Sequence, residues 1–211
     1  MKTKAIITLL FSLAYLVGAG QYQSDSSVNV VALKEVIVSD KPQSKRLRHF
    51  KIQGHPSYRS FRKGDKYINL VSGYPKGKLS YIEFFFNTGM PNLLKKKLDI
   101  DYQDVDIQLL LFEVAAGNKI GRSLLPKEVI LTVGKDHNGA FRIPLGYLNI
   151  RQEQLFIGFA VVSETSKTKA NIYVRMNEIK GTVGYQWSSF FADWKPIYDN
   201  DIFKLKIAIE D

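Results

Sequence analysis

The chain has 211 residues, a formal net charge of +10 and no cysteine. Its sequence is 45% hydrophobic and 12% aromatic, which excludes an intrinsically disordered protein and predicts a domain with a full apolar core. The lack of cysteine excludes disulfide bonds, thiol catalysis and a zinc site built on cysteine ligands.

The N-terminus carries the pattern of an export signal. Two cations, Lys2 and Lys4, precede an apolar run over residues 5–17 and three small residues at 18–20. A bilayer-spanning helix needs about 20 apolar residues, so this shorter run is typical of a cleaved leader. We therefore expect residues 1–20 to be a signal peptide and the mature protein to be periplasmic, outer-membrane-associated or secreted.

The positive charge indicates which partners to expect. Outside the cytoplasm, a cationic surface meets anionic polymers, lipopolysaccharide and anionic lipid headgroups before it meets nucleic acid. We therefore expect a cell-envelope protein or a glycan as partner, peripheral contact with an anionic envelope surface, and no nucleic acid. The lysines also fit a simpler role, because charged side chains keep the edge strands of a sheet from pairing with other chains.

The segment after the leader combines one strand pattern with a basic stretch. Residues 28–38 are rich in β-branched side chains and predict a strand. Residues 43–51 are basic with little periodicity, which fits a linker or a short amphipathic helix, and the His-Pro dipeptide at 55–56 predicts a turn. We therefore predict an N-terminal strand and basic linker over 21–60 and one sandwich domain over 61–211.

Short apolar segments then alternate with glycine, proline, asparagine and aspartate. Many short strands at nearly even spacing indicate an antiparallel sandwich or barrel, and the helical crossovers that a parallel sheet requires are missing. We predict an all-β, jelly-roll-like antiparallel β-sandwich of eight or nine strands. The strand segments are 66–71, 78–86, 105–114, 128–133, 140–145, 154–162, 171–176, 182–187 and 203–209.

Two of these segments have informative side-chain patterns. In 203–209, Lys204 and Lys206 alternate with apolar residues, which predicts a strand with one buried and one exposed side. Residues 154–162 are apolar at nearly every position, which predicts a strand that is buried on both faces or central in its sheet.

Several segments together resemble a known group of exported modules. Their order is similar to that in the jelly-roll β-sandwich modules of exported Gram-negative proteins, which often accompany carboxypeptidase-regulatory-like domains and outer-membrane receptor proteins. Residues 33–38 also resemble the segment that joins such regulatory domains to a receptor plug. The resemblance implies ligand or partner binding and supplies no catalytic residues. The matching segments are 78–86, 105–114, 121–126, 138–145 and 153–162.

Four carboxylates close together form a candidate calcium site. Calcium takes about six to eight oxygen ligands, and loops of exported sandwiches supply such ligands. The segment lacks the glycine and the distal glutamate of an EF-hand loop, and the three lysines at 95–97 would offset its charge. An acidic loop balanced by a basic one is therefore the simpler interpretation. The four residues are Asp99, Asp101, Asp104 and Asp106.

A second candidate site is an aromatic cluster near the C-terminus. Aromatic rings stack on sugar rings, and neighbouring carboxylate and amide groups bind hydroxyls. A tryptophan in a strand usually fills the core, so packing is the alternative role. The aromatic residues are Tyr185, Trp187, Phe190, Phe191, Trp194 and Tyr198, and the polar residues beside them are Asp193, Asp199 and Asn200.

No catalytic pattern stands out in the sequence. The three histidines, His49, His55 and His137, lack the spacing of metal ligands, and neither a Gly-x-Ser-x-Gly turn nor a phosphate-binding glycine loop occurs. The sequence therefore favours a non-catalytic exported binding or interaction module of the cell envelope, without a cofactor. The first alternative is a carbohydrate-binding accessory module that uses the aromatic residues, and the second is a hydrolase with dispersed site residues.

Overall fold

The computed structural model describes most of the chain after residue 45. The predicted signal peptide over 1–20 and the predicted strand over 28–38 lie outside the described residues. The described parts are residues 46–163, 169–188, 192–197 and 200–211.

Fourteen strands dominate the described parts, with one short helix and one 3-10 turn. In chain order these elements are β1 (Leu47–Lys51), β2 (His55–Phe61), β3 (Lys66–Ser72), β4 (Lys78–Phe86), α1 (Asn92–Lys97), β5 (Val105–Ala115), β6 (Lys119–Ser123), β7 (Ile130–Val133), β8 (Gly139–Pro144), the 3-10 turn (Gly146–Leu148), β9 (Gln154–Val161), β10 (Ile172–Glu178), β11 (Gly184–Ser188), β12 (Asp193–Ile197), β13 (Asp201–Phe203) and β14 (Lys206–Glu210).

The strands form two antiparallel sheets. The first sheet has the order β1-β14-β4-β10-β13, with β2 paired to β10 and β8 paired to β4. The second sheet has the order β12-β11-β3-β9-β5-β6, with β7 paired to β5. Most connections cross from one sheet to the other, as in jelly-roll sandwiches. The predicted all-β antiparallel sandwich is therefore confirmed.

The predicted number of eight or nine strands is wrong. The sequence patterns missed β1, β2, β6 and β12, and the predicted last strand is divided into β13 and β14. Each of the four missed strands pairs with a single neighbour within the described residues, so each is an edge strand. Edge strands carry charges and tolerate proline, because one side of their backbone needs no partner strand.

The two strands before residue 61 belong to the sandwich. The stretch interpreted as a linker or helix contains β1, which pairs with β14 from Leu47–Glu210 to Lys51–Lys206. The dipeptide interpreted as a turn begins β2, in which Pro56 lies on an edge strand paired with β10. The sandwich thus extends at least to Leu47, ahead of the predicted boundary.

The main core lies between the two sheets and is rich in aromatic rings. Phe159 of the second sheet packs against Phe84 and Phe203 of the first, with ring centroids 5.6 and 5.3 Å apart. Burying one such side chain contributes about 1.5–3 kcal/mol. The predicted alternation in the last segment is confirmed, because its apolar residues are buried while Lys204 and Lys206 lie on the opposite side. The buried row is Phe203, Leu205, Ile207 and Ile209.

A buried amide joins the two sheets at one end. Asn69 of β3 is fully buried, and its Nδ2 donates to the main-chain oxygen of Asp201 at 3.0 Å. Its Oδ1 accepts from the main-chain nitrogen of Phe203 at 3.0 Å, and Tyr67 Oη donates to Asp201 O at 2.8 Å. These bonds satisfy β13 backbone groups that would otherwise be buried without partners.

A small apolar cluster, separate from the main core, covers part of the outer side of the first sheet. There Tyr173 of β10 is buried together with Ile100 and Ala170, which form an isolated bridge beyond α1. The helix itself is six residues long. No helix among the described residues combines the length and the apolar character needed to cross a bilayer.

Candidate functional site

The outer side of the second sheet carries apolar side chains where a sandwich usually presents polar ones. Its centre is formed by Ile68 of β3, Leu110 of β5 and Phe156 of β9, none of which is more than 9% exposed. Partly buried residues from the neighbouring strands surround this centre. We call the five aromatic residues on this side the aromatic face: Phe112, Phe156, Tyr185, Trp187 and Trp194.

The apolar composition of β9 produces this second apolar side. Ile157 and Phe159 point into the core between the sheets, whereas Phe156 and Ala160 point to the outer side. All four are buried. The predicted strand that is buried on both faces is therefore confirmed.

The rings of the aromatic face hold one another edge to face. Trp187 and Trp194 lie opposite each other on β11 and β12, with ring centroids 5.6 Å apart and planes at 77°. Trp194 also lies 6.2 Å from Phe112, and Tyr185 lies 5.4 Å from Phe156. Such pairs contribute about 0.5–1.5 kcal/mol beyond simple burial, so they favour this arrangement of the rings.

Polar groups surround these rings. Lys66 Nζ lies 5.0 Å above the ring of Trp187. Tyr185 Oη donates a hydrogen bond to the main-chain oxygen of Asn118 at 3.2 Å. Asp193 Oδ1 accepts from the main-chain nitrogen of Trp194 at 2.7 Å. The site therefore combines apolar rings with a polar rim.

The structure brings together four of the residues predicted to bind a ligand. Tyr185, Trp187 and Trp194 lie on one side of the second sheet, and Asp193 lies beside Trp194. The other aromatic and acidic residues of the prediction lie outside the described residues: Phe190, Phe191, Tyr198 and Asp199.

Asn200, the last of the residues predicted to bind a ligand, lies just before β13. Its backbone adopts a positive φ of 58°, which asparagine tolerates better than most residues. Its Oδ1 accepts from the main-chain nitrogen of Gly181 at 3.3 Å, and its main-chain oxygen accepts from Ile179 at 2.9 Å. These hydrogen bonds join the loop after β10 to the residue just before β13.

The sequence analysis missed the part of the site that comes from the middle of the second sheet. Phe112 on β5 and Phe156 on β9 contact the C-terminal aromatic residues Trp194 and Tyr185, although β3 lies between β11 and β9 in the sheet. The signal for an outer apolar side was the unbroken apolar run of β9. Three strands separate β12 from β5 in the sheet, so the contact of Trp194 with Phe112 requires the β11–β12 hairpin to lie over the outer side of the sheet, and that run does not indicate this arrangement.

The carboxylates of the candidate calcium site bind to different partners. Asp104 Oδ1 accepts from the main-chain nitrogen of Lys135 at 2.8 Å, and Asp106 Oδ1 accepts from Thr132 Oγ1 at 2.6 Å. Asp106 lies on β5 and bonds to a residue of β7, whereas Asp104 lies just before β5 and bonds to a residue just after β7. Across the described residues, no group of three or more histidine, cysteine, aspartate or glutamate side chains could hold a metal ion. The four predicted residues, Asp99, Asp101, Asp104 and Asp106, are all within the described part.

The three histidines lie on different segments. His49 is on β1, His55 begins β2, and His137 is in the turn between β7 and β8, where its ring packs against Phe141. For the part of the chain that the structure describes, one hydrogen bond of a histidine ring is found, between His49 Nδ1 and Tyr81 Oη at 3.4 Å. This arrangement does not form an acid–base–nucleophile triad.

Comparisons with known proteins give a likeness in fold. No protein-family model matches the sequence, and no curated protein is found to be similar to it. The fold is similar to a solved structure of a clostridial cysteine protease, Cwp84, after propeptide cleavage, with a TM-score of 0.50 and 12% identity. The match covers 82% of this chain and 42% of that one. At this identity the likeness shows the fold alone, and fold does not imply function.

Proposed function

We propose that this chain is a non-catalytic, exported binding module of the cell envelope and that the aromatic face is its binding surface. One observation carries the proposal: the outer side of the second sheet is apolar and aromatic, with part-exposed rings over a buried centre. A solvent-facing side of a sandwich normally carries polar residues, and contiguous apolar surface marks interaction sites.

The residue types of this surface also support binding. Tyrosine and tryptophan are enriched at interfaces and at the residues that dominate binding energy. Trp187 and Trp194 are half-buried and packed against each other, so part of each side chain is accessible while its orientation is fixed. A partner would therefore pay little side-chain entropy to engage them.

Two features support a role without catalysis. The sequence has no cysteine, so it lacks the nucleophile of a cysteine protease despite the likeness in fold. Among the described residues, the one hydrogen bond of a histidine ring joins His49 to Tyr81, not to a carboxylate. The leader pattern over residues 1–20 supports the location in the cell envelope.

The test compares two aromatic variants in binding to solubilised envelope proteins. Trp187→Ala alters the aromatic face, whereas Tyr147→Ala removes a 61% exposed ring from the 3-10 turn. We expect the unmodified protein and Tyr147→Ala to bind the same partner protein, and Trp187→Ala to lose that binding. The melting temperature of Trp187→Ala should stay within a few degrees of that of Tyr147→Ala. Equal retention by both folded variants would refute the aromatic face as the binding surface.

A glycan is the second candidate ligand, favoured by the position of three predicted residues. Tyr185, Trp187 and Trp194 lie on one face, and Asp193 supplies a carboxylate at its rim. Calorimetry with a panel of soluble glycans tests this candidate, with an expected loss of affinity of about 3- to 10-fold in Trp187→Ala. The absence of heat with every glycan, together with Trp187-dependent retention of a protein, would assign the face to a protein partner.

A further inference from the structure

A small cleft opens on the outer side of the first sheet, whereas the aromatic face lies on the outer side of the second sheet. It lies between β1, β4, β10 and the link from β13 to β14, and its volume is about 240 Å³. Four cations and one phenyl ring line it, and no aspartate or glutamate does. We call this the cationic cleft, defined by Lys51, Phe85, Arg175, Lys204 and Lys206.

Strand pairing places these cations side by side. The main-chain nitrogen of Lys204 donates to the main-chain oxygen of Arg175 at 3.0 Å, and Lys51 is directly opposite Lys206 in the β1–β14 register. The neighbours of Lys204 and Lys206 along the chain, such as Leu205, are buried in the core, so both lysines point outward. Like charges opposite each other destabilise a sheet, so this arrangement opposes stability.

Carboxylates balance only part of this charge. Lys206 Nζ lies 3.4 Å from Glu83 Oε2, but Glu83 also binds Arg142 at 2.7 Å. For the described residues, no ion pair is found for Lys51, Arg175 or Lys204.

The contacts of Arg175 and Lys204 within the described residues do not include a carboxylate. Arg175 Nε is buried without a hydrogen-bond partner among the described residues. Lys204 Nζ lies 4.7 Å above the ring of Phe85. Burial lowers the pKa of Lys204, and the charges of Arg175 and Lys51 lower it further. The cleft therefore lacks negative charge at its centre.

We propose that the cationic cleft binds a phosphate group. A phosphate carries up to two negative charges and several acceptor oxygens, which match one guanidinium and two ammonium groups in one cleft. The volume is below the about 300–1,000 Å³ of typical small-molecule pockets, so the cleft suits a charged group rather than a whole ligand. The ring of Phe85 offers an apolar wall to the body that carries the phosphate, such as a sugar ring.

Calorimetry at constant ionic strength tests the site with inorganic phosphate, glucose 6-phosphate and glucose. We expect both phosphates to bind and glucose to give no heat. Lys51→Gln and Lys204→Gln should each weaken phosphate binding by about 3- to 10-fold, because each removes a charge-assisted contact. Lys119→Gln, which makes the same charge change at an exposed position on β6, should leave the affinity unchanged.

A second measurement keeps the test independent of folding defects. Without phosphate, Lys204→Gln should melt at or above the temperature of the unmodified protein, because it removes repulsion with Arg175 and Lys51. Phosphate should raise the melting temperature of the unmodified protein more than chloride at equal ionic strength. A Lys204→Gln variant stabilised by phosphate as much as the unmodified protein would overturn the proposal.

The remaining outcomes separate the sources of the phosphate. Tighter binding of glucose 6-phosphate than of inorganic phosphate, with the difference lost in Phe85→Ala, supports a phosphorylated sugar. Equal affinities support free phosphate. No binding of either phosphate, equal weakening by Lys119→Gln, or tighter binding of glucuronate than of glucose 6-phosphate would overturn the proposal. Trp187→Ala should leave phosphate binding intact, so this site and the aromatic face succeed or fail separately.

Discussion

At the scale of single residues, Glu83 neutralises part of the positive charge on the outer side of the first sheet, that of Arg142 and Lys206. Its side chain is 6% exposed and pairs with Arg142 at 2.7 Å and Lys206 at 3.4 Å. Burial by itself raises the pKa of Glu83, but hydrogen bonds and charge from Arg142 and Lys206 outweigh it. The pKa therefore lies below its ordinary value of 4.5.

The lowered pKa of Glu83 makes its contribution to stability depend on pH. Because the folded state holds the ionised form more strongly than the unfolded state does, this stability is present above about pH 4.5 and is lost as the pH falls through the folded pKa. We predict that Glu83→Gln lowers the free energy of unfolding by about 1–3 kcal/mol at neutral pH. Urea unfolding should show this difference shrinking in acid.

A matched exposed pair provides the control for Glu83. Glu113 binds Arg122 at 2.8 Å, but the arginine side chain is 81% exposed. Exposed pairs contribute about 0–1 kcal/mol, so Glu113→Gln should change the free energy of unfolding little at any pH. Parallel pH profiles for Glu83→Gln and the unmodified protein would contradict the role assigned to Glu83.

Trp194 has two roles that one substitution should reveal together. It is half-buried and packs against Phe112 and Trp187, so it both supports the aromatic face and exposes part of its ring. We predict that Trp194→Ala lowers the free energy of unfolding by about 1–3 kcal/mol, less than the about 3–5 kcal/mol of a fully buried ring, and also weakens binding. Melting curves and binding measured on the same sample check this. Unchanged binding in Trp194→Ala would show that Trp194 contributes to packing and not to binding.

At the scale of strands, Gly158 allows β3 and β9 to pair at the centre of the second sheet. A Cβ atom at this position would lie 1.9 Å from the main-chain oxygen of Tyr67 and 2.7 Å from the Cα of Ile68. These are backbone atoms, so a rotamer change cannot relieve the overlap. We predict that Gly158→Ala lowers the free energy of unfolding by about 2–4 kcal/mol, measured by urea unfolding.

Gly134 is the matched control for this prediction. A Cβ atom there would meet only Asp104 Oδ1 at 3.9 Å, an ordinary contact, and no unusual backbone conformation is required. Gly134→Ala should therefore leave the free energy of unfolding within about 1 kcal/mol of the unmodified value. A loss in Gly134→Ala as large as that in Gly158→Ala would show that the close approach of β3 is not the cause.

The strands that the sequence predicted and those it missed differ in their place in the sheets. Central strands such as β5 and β9 are flanked on both sides and packed on the core, so their apolar patterns are strong. The missed strands β1, β2, β6 and β12 are edges, with mostly exposed or part-exposed residues. The partners of β1 and β2 are distant in sequence, whereas β6 and β12 pair with the strand just before them but have too few buried apolar residues to give a periodic pattern.

At the scale of the whole molecule, the two outer sides of the sandwich differ in chemistry. The second sheet presents the aromatic face, and the first presents the cationic cleft. Tyr185, Trp187 and Trp194 were predictable as candidates because they are close in sequence. Lys51, Arg175 and Lys204 come from three distant segments, so their meeting depends on strand order. A site could therefore be predicted from the sequence only where its residues lie close together in the chain.

The order of the first sheet makes folding depend on both ends of the described chain. β14 lies between β1 and β4, and the β1–β14 pairing joins Leu47 to Glu210. Ile207 and Ile209 of β14 are fully buried. We predict that ending the chain after Leu205 abolishes cooperative unfolding. The two buried isoleucines alone contribute about 3–6 kcal/mol, which is comparable to a typical net stability of about 5–15 kcal/mol, and the truncation also removes the pairing of β14 with β1 and β4.

Removing Asp211 alone is the control for this truncation. Asp211 is exposed, lies beyond β14 and pairs with Arg48, itself 43% exposed, so its loss should leave a cooperative transition close to that of the full chain. Thermal unfolding followed by circular dichroism distinguishes the two truncations. A chain ending at Leu205 that still melts cooperatively near the original temperature would show that β4 and β1 close the sheet without β14, contrary to the strand order described.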